Sequence, residues 1–254
     1  MRKPSAALLL FLVATAQIAS GEWRVLSASN EISPAPGLIH RHVDLRESET
    51  GDAAIVDLAL FSTKSCKLRV IDNANGLSNL AAAMRRADFL AGVNGGYFDP
   101  AFAPLGLRIV DGKVVSRLTR GRLMSGVLAS DNTIQIFRVG EFSLRRKWNA
   151  AVECGPFLVD LGRPVRGLEA TRAARRTFAA IGSNDRAALG FCPEATLADL
   201  GKLLAIPLGD FKIQRALNLD GGSSSAFWLK RKDGSALSIS EQKPVRDFVG
   251  VVPK

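Results

Sequence analysis

Short apolar runs separated by turn residues fill most of the sequence, and this pattern constrains the fold more than any other feature. Such runs, bounded by Gly, Pro, Asn and Asp, are typical of β-strands. Hairpins that alternate with only two isolated helical patterns predict one domain of the α/β (α+β) class, with a mixed, largely antiparallel sheet and a few packed helices. Regular strand–helix–strand alternation is missing, which argues against Rossmann and TIM-barrel folds. The predicted strands are 54–61, 67–71, 89–93, 106–110, 113–116, 126–129, 134–139, 157–160, 177–181, 187–191, 215–219, 226–229 and 248–251.

Two stretches have the periodicity of an amphipathic helix. In 77–87, apolar residues fall on one face and Arg85 and Arg86 on another. In 197–204, Thr196 occupies the N-cap position and Asp199 follows three residues later, a variant of the capping box. Both helices are predicted to cover a sheet.

The N-terminal segment has the features of a signal peptide. Arg2 and Lys3 precede an apolar stretch over 6–16, and small residues that suit a signal peptidase follow. The stretch is too short to cross a bilayer as a helix. We therefore expect residues 1–20 to be removed and 21–254 to form one exported domain, periplasmic or secreted, without stable membrane insertion. A buried N-terminal helix is the alternative.

The charge balance favours anionic partners. The chain carries 34 Lys and Arg against 24 Asp and Glu, a formal net charge of +10, which attracts phosphorylated glycans, anionic polymers, lipid surfaces or nucleic acid. The alternative is that the excess only keeps the protein soluble. Because the chain has one Tyr and three Trp and no stripe of interleaved basic and aromatic residues, we predict that nucleic acid is not a partner.

The three cysteines of an exported chain allow one disulfide and one remaining thiol. Cys154 and Cys192 are the preferred pair, because both lie beside sharp turns at the ends of apolar runs, whereas Cys66 lies in a polar stretch. Three buried free thiols are the alternative, since unpaired Cys is among the most buried residue types.

The residue types present argue against several catalytic chemistries. His40 and His42 are the only histidines, and both lie near the start of the exported domain. A zinc site and a Ser-His-Asp triad are therefore not expected, and a nucleotide-binding P-loop is excluded because the glycine-rich segments lack its lysine. No cofactor is predicted, and a divalent cation bound by one or two carboxylates stays open.

Two strand-end turns carry the strongest candidate site. In ALNLDGGSSS (216–225) an apolar run ends at Asp220, and in AGVNGGYF (91–98) another ends at Asn94; two glycines follow each polar residue. Either residue alone fits an Asx-type turn, but the coincidence of two such turns indicates one shared site. Asp220 is then the best-placed acid–base group. Arg176, just before a predicted strand, can direct a planar bidentate group at phosphate or carboxylate.

Five motifs in a fixed order resemble the phosphodiester glycosidase family. They are NGGYF (94–98), PLGL (104–107), CGPFLV (154–159), RT (176–177) and LNLDGGSSS (217–225). The resemblance covers about 55–252, and its specificity lies in the ordered set rather than in any one motif. The best-known activity of this family is the removal of N-acetylglucosamine from a sugar phosphodiester, which exposes mannose 6-phosphate.

The resemblance implies a hydrolase with one sugar-phosphate pocket and a phosphorylated glycan as substrate. It assigns Asp220 as the catalytic carboxylate, Asn94 as a polar partner of sugar hydroxyls and Arg176 as the phosphate-binding residue. Asp220 would act as a base or as a nucleophile. The residues that would shape the pocket and contact substrate are Gly95, Gly96, Thr177, Gly221, Gly222 and Ser223. Three further carboxylates could serve as the catalytic partner of Asp220 and are called the spare carboxylates: Asp99, Glu153 and Asp185.

The sequence departs from the family pattern at two places. Ser223 stands where a third glycine is usual, and Phe178 and Ala179 interrupt the usual RTAIG. We expect an enzyme that cleaves the glycosidic C–O bond of a sugar-1-phosphodiester in an envelope or exopolysaccharide glycan. The alternative, from a different class, is a non-catalytic protein that holds anionic glycans in the same pocket.

Overall fold

The computed structural model describes residues 22–32, 37–86, 88–121 and 123–254, so the predicted signal peptide lies outside the described residues. Within these residues, two helices, α1 (Leu80–Arg85) and α2 (Leu197–Ala205), and a single 3₁₀ turn (Gly222–Ser224) occur among strands and their connecting loops. The strands are β1 (Trp23–Ile32), β2 (Leu38–Glu47), β3 (Ala53–Ser62), β4 (Cys66–Asp72), β5 (Ala91–Asn94), β6 (Arg108–Val110), β7 (Lys113–Ser116), β8 (Gly126–Ser130), β9 (Ile134–Arg138), β10 (Ala150–Cys154), β11 (Phe157–Asp160), β12 (Arg163–Pro164), β13 (Ala174–Gly182), β14 (Arg186–Ala195), β15 (Ile213–Asn218), β16 (Phe227–Lys230), β17 (Ala236–Ile239) and β18 (Asp247–Pro253).

The strands form three sheets. Sheet I has eight strands in the order β1-β2-β3-β14-β13-β15-β11-β12, sheet II has the order β7-β6-β10-β8-β9, and sheet III has the order β17-β16-β5-β18-β4. All the strand pairings in the described ranges are antiparallel. The predicted fold class is therefore only partly right. Sheets dominate over helices, and three antiparallel sheets replace the single mixed one, because strand partners are chosen by long-range contacts that local periodicity does not encode.

The main core lies between one face of sheet I and the inner faces of sheets II and III. Phe191 and Leu217 from sheet I, Val152 from sheet II and Phe227 from sheet III belong to the same buried cluster. The leucines of α2 cover the opposite face of sheet I, and α1 packs on the outer face of sheet III. The strand ends of sheets I and III therefore come close together at the edge of this core.

The helices begin at their capping residues. The hydroxyl of Thr196 accepts a hydrogen bond of 3.0 Å from the amide of Asp199, which confirms the predicted N-cap of α2. α1 starts later than predicted because Asn79 is its N-cap and accepts a hydrogen bond of 2.8 Å from the amide of Ala82. Leu77, which the periodicity placed inside this helix, precedes the cap and is 85% exposed.

The predicted disulfide between Cys154 and Cys192 is wrong, because all three cysteines are free and buried. Cys154 on β10 belongs to the core between the sheets, whereas Cys192 on β14 points to the other face of sheet I, under α2. Burial raises the pKa of each of these two thiols to about 12. They are protonated, inert parts of the core.

A buried carboxylate binds both histidines of the chain. Asp57 Oδ1 lies 2.9 Å from His40 Nε2 and 2.9 Å from His42 Nδ1, which joins neighbouring strands β2 and β3. Burial alone would raise the pKa of Asp57, but the hydrogen bonds from the two imidazoles outweigh it and hold that pKa below its usual value. The hydrogen bond to Asp57 raises the pKa of His42. The cluster therefore connects β2 to β3, near the β1 edge of sheet I.

No helix in the described ranges is both long enough and apolar enough to cross a membrane.

Candidate active site

The two glycine turns predicted from the sequence meet where sheet I approaches sheet III. β5 in sheet III ends at Asn94, and β15 in sheet I ends two residues before Asp220. The amide of Asp220 donates a hydrogen bond of 3.0 Å to the carbonyl of Gly95. Main-chain contact between the turns therefore places the polar residues of both at one site.

The side chain of Asn94 connects the strands around this site. Its Nδ2 donates a hydrogen bond of 2.7 Å to the carbonyl oxygen of Asp220. Its Oδ1 accepts hydrogen bonds from Thr177 Oγ1 at 2.8 Å and from the amide of Ala226 at 3.1 Å. The hydroxyl of Thr177 also lies 2.9 Å from the Asp220 carbonyl. Asn94 and Thr177 are both fully buried, so their polar atoms hold the Asp220 main chain in place.

Close approach of a buried ion pair explains the glycines after Asn94. The amide of Gly95 donates to the main-chain carbonyl of Asp247, and the amide of Gly96 donates a bond of 2.9 Å to Asp247 Oδ1. A Cβ at Gly95 would lie 1.7 Å from Asp247 Oδ1, and a Cβ at Gly96 would lie 2.1 Å from Arg108 Nη2. Only glycine fits at either position, and both amides already have protein acceptors.

Arg108 and Asp247 form the base of the site, and sequence reasoning missed both. Arg108 Nε lies 2.7 Å from Asp247 Oδ2, and both side chains are 2% exposed. The guanidinium also donates to four main-chain carbonyls. Because a buried ion pair needs such additional hydrogen bonds to offset desolvation, this pair is a positioning element for the turn at Gly95 and Gly96.

The carboxyl group of Asp220 is partly buried, and its pKa is raised. Burial raises the pKa of Asp220, and the Ser224 hydroxyl, Lys243 and the amide of Gly221 counteract part of that rise, while the nearby charge of Asp247 adds to it. Ser224 Oγ is buried and makes no well-aligned hydrogen bond within the described residues. A carboxyl group with a raised pKa in a polar turn is suited to acid–base or nucleophilic chemistry.

Arg176 places a guanidinium beside the same turn. Its Nε donates a hydrogen bond of 3.0 Å to the Ala195 carbonyl and its Nη2 donates one of 2.8 Å to the Arg172 carbonyl. A Cβ at Gly221 would lie 3.4 Å from Arg176 Nη1, so the guanidinium borders the residue after Asp220. Burial lowers the pKa of Arg176. None of the described carboxylates lies within ion-pair distance of this group.

The strand that carries Arg176 is regular through the departure from the family pattern. Residues from Arg176 to Ile181 on β13 pair with β14 without a register shift. Phe178 fills the space above Gly190, where a Cβ would lie 2.1 Å from the ring. Phe178 and Ala179 therefore continue β13 in register.

The turn after Asp220 leaves polar groups without partners. Gly222 has a φ of +64°, a conformation that favours glycine, and it opens the 3₁₀ turn. The hydroxyl of Ser225 is buried without a hydrogen-bond partner in the described part of the chain, and the buried hydroxyl of Ser224 approaches Asp220 without a well-aligned hydrogen bond. Ser223, in the position of the usual third glycine, is half-buried.

Tyr97 and Asn218 extend the site on the side of sheet II, and neither was predicted. Tyr97 Oη donates a short hydrogen bond to the Gly155 carbonyl. Asn218 Nδ2 lies 3.0 Å from the same carbonyl and 3.2 Å from Tyr97 Oη. Burial raises the pKa of Tyr97, so the phenol stays protonated beside the site.

Lys243 was also missed, because an exposed lysine in a polar loop has no distinguishing sequence signal. Its Nζ lies 5.3 Å from the centre of the Phe98 ring. The neighbouring amide of Gln242 donates a hydrogen bond of 2.7 Å to the carbonyl of Ser223. Lys243 therefore lies between the two glycine turns, near enough to lower the pKa of Asp220.

The three spare carboxylates lie in different parts of the structure and have different contacts. Asp99 Oδ1 accepts from the amide of Ala103 and builds the turn beyond Phe98. Glu153 is fully buried, and its Oε2 accepts from the amides of two loops. Asp185 pairs with Lys64 in the hairpin turn beyond β13, and the last residue of that strand, Gly182, is already about 17 Å from Thr177. Asp185 is therefore too far away to assist Asp220.

The described residues contain no group of three or more His, Cys, Asp or Glu side chains that could hold a metal ion.

Two solved structures have a fold similar to that of this chain. The catalytic domain of zebrafish N-acetylglucosamine-1-phosphodiester alpha-N-acetylglucosaminidase, auto-inhibited by its pro-peptide, superposes with a TM-score of 0.64 at 16% identity, over 92% of this chain and 89% of that one. A candidate exported protein from Burkholderia pseudomallei superposes with a TM-score of 0.53 at 14% identity, over 82% and 77% of the two chains. At these identities the similarity shows a shared fold. No curated protein sequence matches the chain significantly.

The family follows from the sequence comparison. The model of the phosphodiester glycosidase family matches residues 87–252, which include both glycine turns and Arg176. The chain belongs to the phosphodiester glycosidase family, whose members are glycosidases and therefore hydrolases.

Proposed function

We propose that this protein is an exported hydrolase that cleaves the glycosidic C–O bond of a sugar-1-phosphodiester. The observation that carries the proposal is that Arg176, a buried guanidinium without a carboxylate partner among the described residues, borders Gly221, the residue after Asp220, whose half-buried carboxyl group has a raised pKa. Together they provide a group that reacts with carbon and a cation that binds phosphate.

The chemistry explains why one reactive carboxylate is enough. A glycosidase that releases an alcohol normally uses two carboxylates, one of which protonates the leaving oxygen. A phosphate monoester leaves from an anomeric carbon with little protonation, so cations that stabilise its charge take the place of the acid. This matches a site with one reactive carboxylate and nearby cations.

Each residue has a distinct role in this proposal. Asp220 activates water or attacks the anomeric carbon, and both routes need the ionised carboxylate. Arg176 and Lys243 bind the departing phosphate from two sides of the turn. Asn94 and Thr177 act as positioning residues, because their polar atoms are used in holding Asp220.

The glycine turns contribute unequally in the same proposal. The amides of Gly95 and Gly96 are bound by Asp247, so these two residues shape the floor of the pocket. The amides of Gly222 and Ser223 lie at the start of the 3₁₀ turn, where no acceptor within the turn exists, and are the donors assigned to substrate. Gly221 leaves space for Arg176.

The sequence and the comparisons support the proposed substrate class and the proposed location. The name of the zebrafish enzyme states that it acts on an N-acetylglucosamine-1-phosphodiester, and we assign a related envelope or exopolysaccharide glycan to this chain. Export is supported by the apolar segment after Arg2 and Lys3 and by the similarity to a candidate exported protein. The net charge of +10 suits an anionic glycan.

The test is the release of reducing sugar from purified N-acetylglucosamine-1-phosphodiesters and from diesters of related sugars. Release by the wild type and by Asp233→Asn, a matched change at an exposed turn, but not by Asp220→Asn, would support the proposal. Equal rates for the two variants would refute the assignment of Asp220. Binding of the glycan without turnover would favour the non-catalytic alternative.

A further inference from the structure

We propose that a groove beside the active site binds the part of the substrate beyond the scissile phosphate, and that this part is an anionic glycan chain. The inference rests on the proposed function and extends it, because it assigns a second binding region and a polymeric substrate class. It concerns the loop 73–79, the loop 240–246 and the two ends of α1.

The near end of the groove adjoins the site. A cavity of about 290 Å³ is lined by residues 76–79 on one side and 240–244 on the other. The hydrogen bond between Gln242 and Ser223 fixes this second wall to the turn that carries Asp220. Lys243 belongs to both the groove and the surroundings of Asp220. A substrate held at Asp220 therefore has the groove as a direct continuation.

The groove continues along α1. A cavity of about 490 Å³ shares Leu77 and Ser78 with the first and extends to Arg69, Arg86 and Phe89. Because Arg86 is the C-cap of α1 and Asn79 is its N-cap, the path runs the length of this six-residue helix, about 9 Å. A ligand that contacts both Lys243 and Arg86 must be longer than a single sugar ring.

The walls of the groove are held by internal contacts. Glu241 Oε1 accepts a hydrogen bond of 2.9 Å from the amide of Leu80, which ties the loop 240–246 to the start of α1. Asn73 Nδ2 donates to the carbonyls of Ser78 and Val245 at 2.9 and 2.8 Å. These bonds connect both walls, so the groove is formed before a ligand binds and little ordering cost opposes binding.

The charge in the groove is complementary to an anionic chain. Asp72 is paired with Arg246, whereas Glu241 keeps its charge: its Oε1 accepts from the helix start and its Oε2 is buried without a partner among the described residues. Lys243 and Arg86 make no ion pair with any described residue. Two unpaired cations at opposite ends match phosphates that recur along a polymer.

One aromatic ring, Phe89, lines the far cavity, and two more lie beside the near cavity. Phe98 packs edge-on against Phe102, with 5.0 Å between ring centroids, and Phe102 reaches Gly76 at the groove wall. Apolar ring surface between cations suits sugars, which have apolar faces between polar edges. The groove therefore has the chemistry for alternating sugar and phosphate units.

The experiment compares a short and a long substrate in the full-length protein. The short one is the methyl diester of N-acetylglucosamine-1-phosphate, and the long one is an oligomer of several sugar-1-phosphodiester units. Leu77→Asp places a negative charge where the two cavities meet, and Arg86→Gln removes the distal cation. The matched controls are Leu161→Asp and Arg163→Gln, at exposed positions beyond β11 and on the edge strand β12.

We expect each groove variant to raise KM for the oligomer about three- to tenfold and to leave kcat/KM for the methyl diester within about twofold. The controls should match the wild type on both substrates. Equal losses on both substrates, or no change in KM for the oligomer, would overturn the groove assignment.

Calorimetric titration of the oligomer into Asp220→Asn separates this inference from the proposed function. If the wild type hydrolyses neither substrate but Leu77→Asp, added to Asp220→Asn, weakens oligomer binding about threefold or more, the groove assignment stands and the hydrolase proposal fails. If hydrolysis occurs and Leu77→Asp leaves oligomer binding unchanged, the groove assignment fails alone.

Discussion

Asn94 donates a side-chain hydrogen bond of 2.7 Å to the main-chain carbonyl of Asp220, across 126 residues of sequence. The bond joins the end of β5 in sheet III to Asp220, two residues beyond the end of β15 in sheet I. Thr177 on β13 reaches the same two residues. The position of the candidate catalytic carboxylate therefore depends on side chains from three separate parts of the chain.

Asn94→Ala should lower kcat for the methyl diester about 100-fold or more, because small displacements of a reacting group cost that much, while KM changes little. It should also lower the free energy of unfolding by about 1–3 kcal/mol, since the Thr177 hydroxyl and the Ala226 amide lose a buried acceptor. Steady-state kinetics and urea denaturation measure the two effects. Asn149→Ala, at an exposed position, is the control. A rise in KM with unchanged kcat would instead indicate direct contact with substrate.

On the acid side of the pH profile, kcat/KM should fall to half its maximum at a pH above about 4, the ordinary pKa of an Asp carboxyl group. The reason is that burial raises the pKa of Asp220. Activity should appear as pH rises through this value, since the ionised carboxylate is the reactive form. Lys243→Gln removes a charge that lowers the pKa of Asp220 and should move this half-maximum to higher pH. A half-maximum at lower pH in this variant would contradict the assignment, and Lys232→Gln, in an exposed turn, is the matched control.

Gly95→Ala and Gly222→Ala should differ sharply. A Cβ at Gly95 would collide with Asp247 at 1.7 Å, whereas nothing lies within 4 Å of a Cβ at Gly222. We expect Gly95→Ala to lose most soluble, folded protein, and Gly222→Ala to cost about 1 kcal/mol through its positive φ alone. Thermal unfolding of the two variants measures the difference. Similar melting temperatures would mean that the Asp247 contact does not constrain the turn.

Asp57→Asn should destabilise the protein most at moderately acidic pH. The pKa of Asp57 is lowered from 3.8 in the fold, so its contribution is present above that value and lost as pH falls through the folded pKa. The pKa of His42 is raised from 6.5, so its contribution is full below 6.5 and lost as pH rises through the folded pKa.

The stability difference between wild type and Asp57→Asn should therefore be largest between about pH 4 and 6.5, at about 1–3 kcal/mol. Urea denaturation across a pH series measures it. Asp52→Asn, at an exposed position beside β3, is the control. A difference that does not vary with pH would contradict the cluster as a pH-dependent contact.

The sequence predicted the meeting of the two glycine turns better than the fold around them. Asp220 and Asn94 could be found because each ends an apolar run and precedes two glycines, a local signal. Arg108 and Asp247 could not, because a charged residue inside or beside a strand indicates burial only once its partner is known. The 139 residues between them carry no pattern that connects the two.

The strands that were missed show the same limit. β1 is exposed along most of its length and therefore lacks apolar alternation, and β10 (Ala150–Cys154) carries Glu153, which a pattern of apolar residues excludes although the side chain is fully buried. The failed pairing of Cys154 with Cys192 has a related cause. Turn-forming residues follow both cysteines in the sequence, but Cys192 lies inside β14, and the face of the sheet to which each cysteine points depends on the register of its strand.

Isotope labelling during hydrolysis tests the central claim most directly. Cleavage of N-acetylglucosamine-1-phosphate methyl diester in ¹⁸O-labelled water distinguishes attack at carbon from attack at phosphorus. The roles assigned to Asp220 and Arg176 predict that the label enters the anomeric hydroxyl of the released sugar, that methyl phosphate is unlabelled, and that Asp220→Asn abolishes the reaction. Label in the phosphate, from P–O cleavage, would contradict the account.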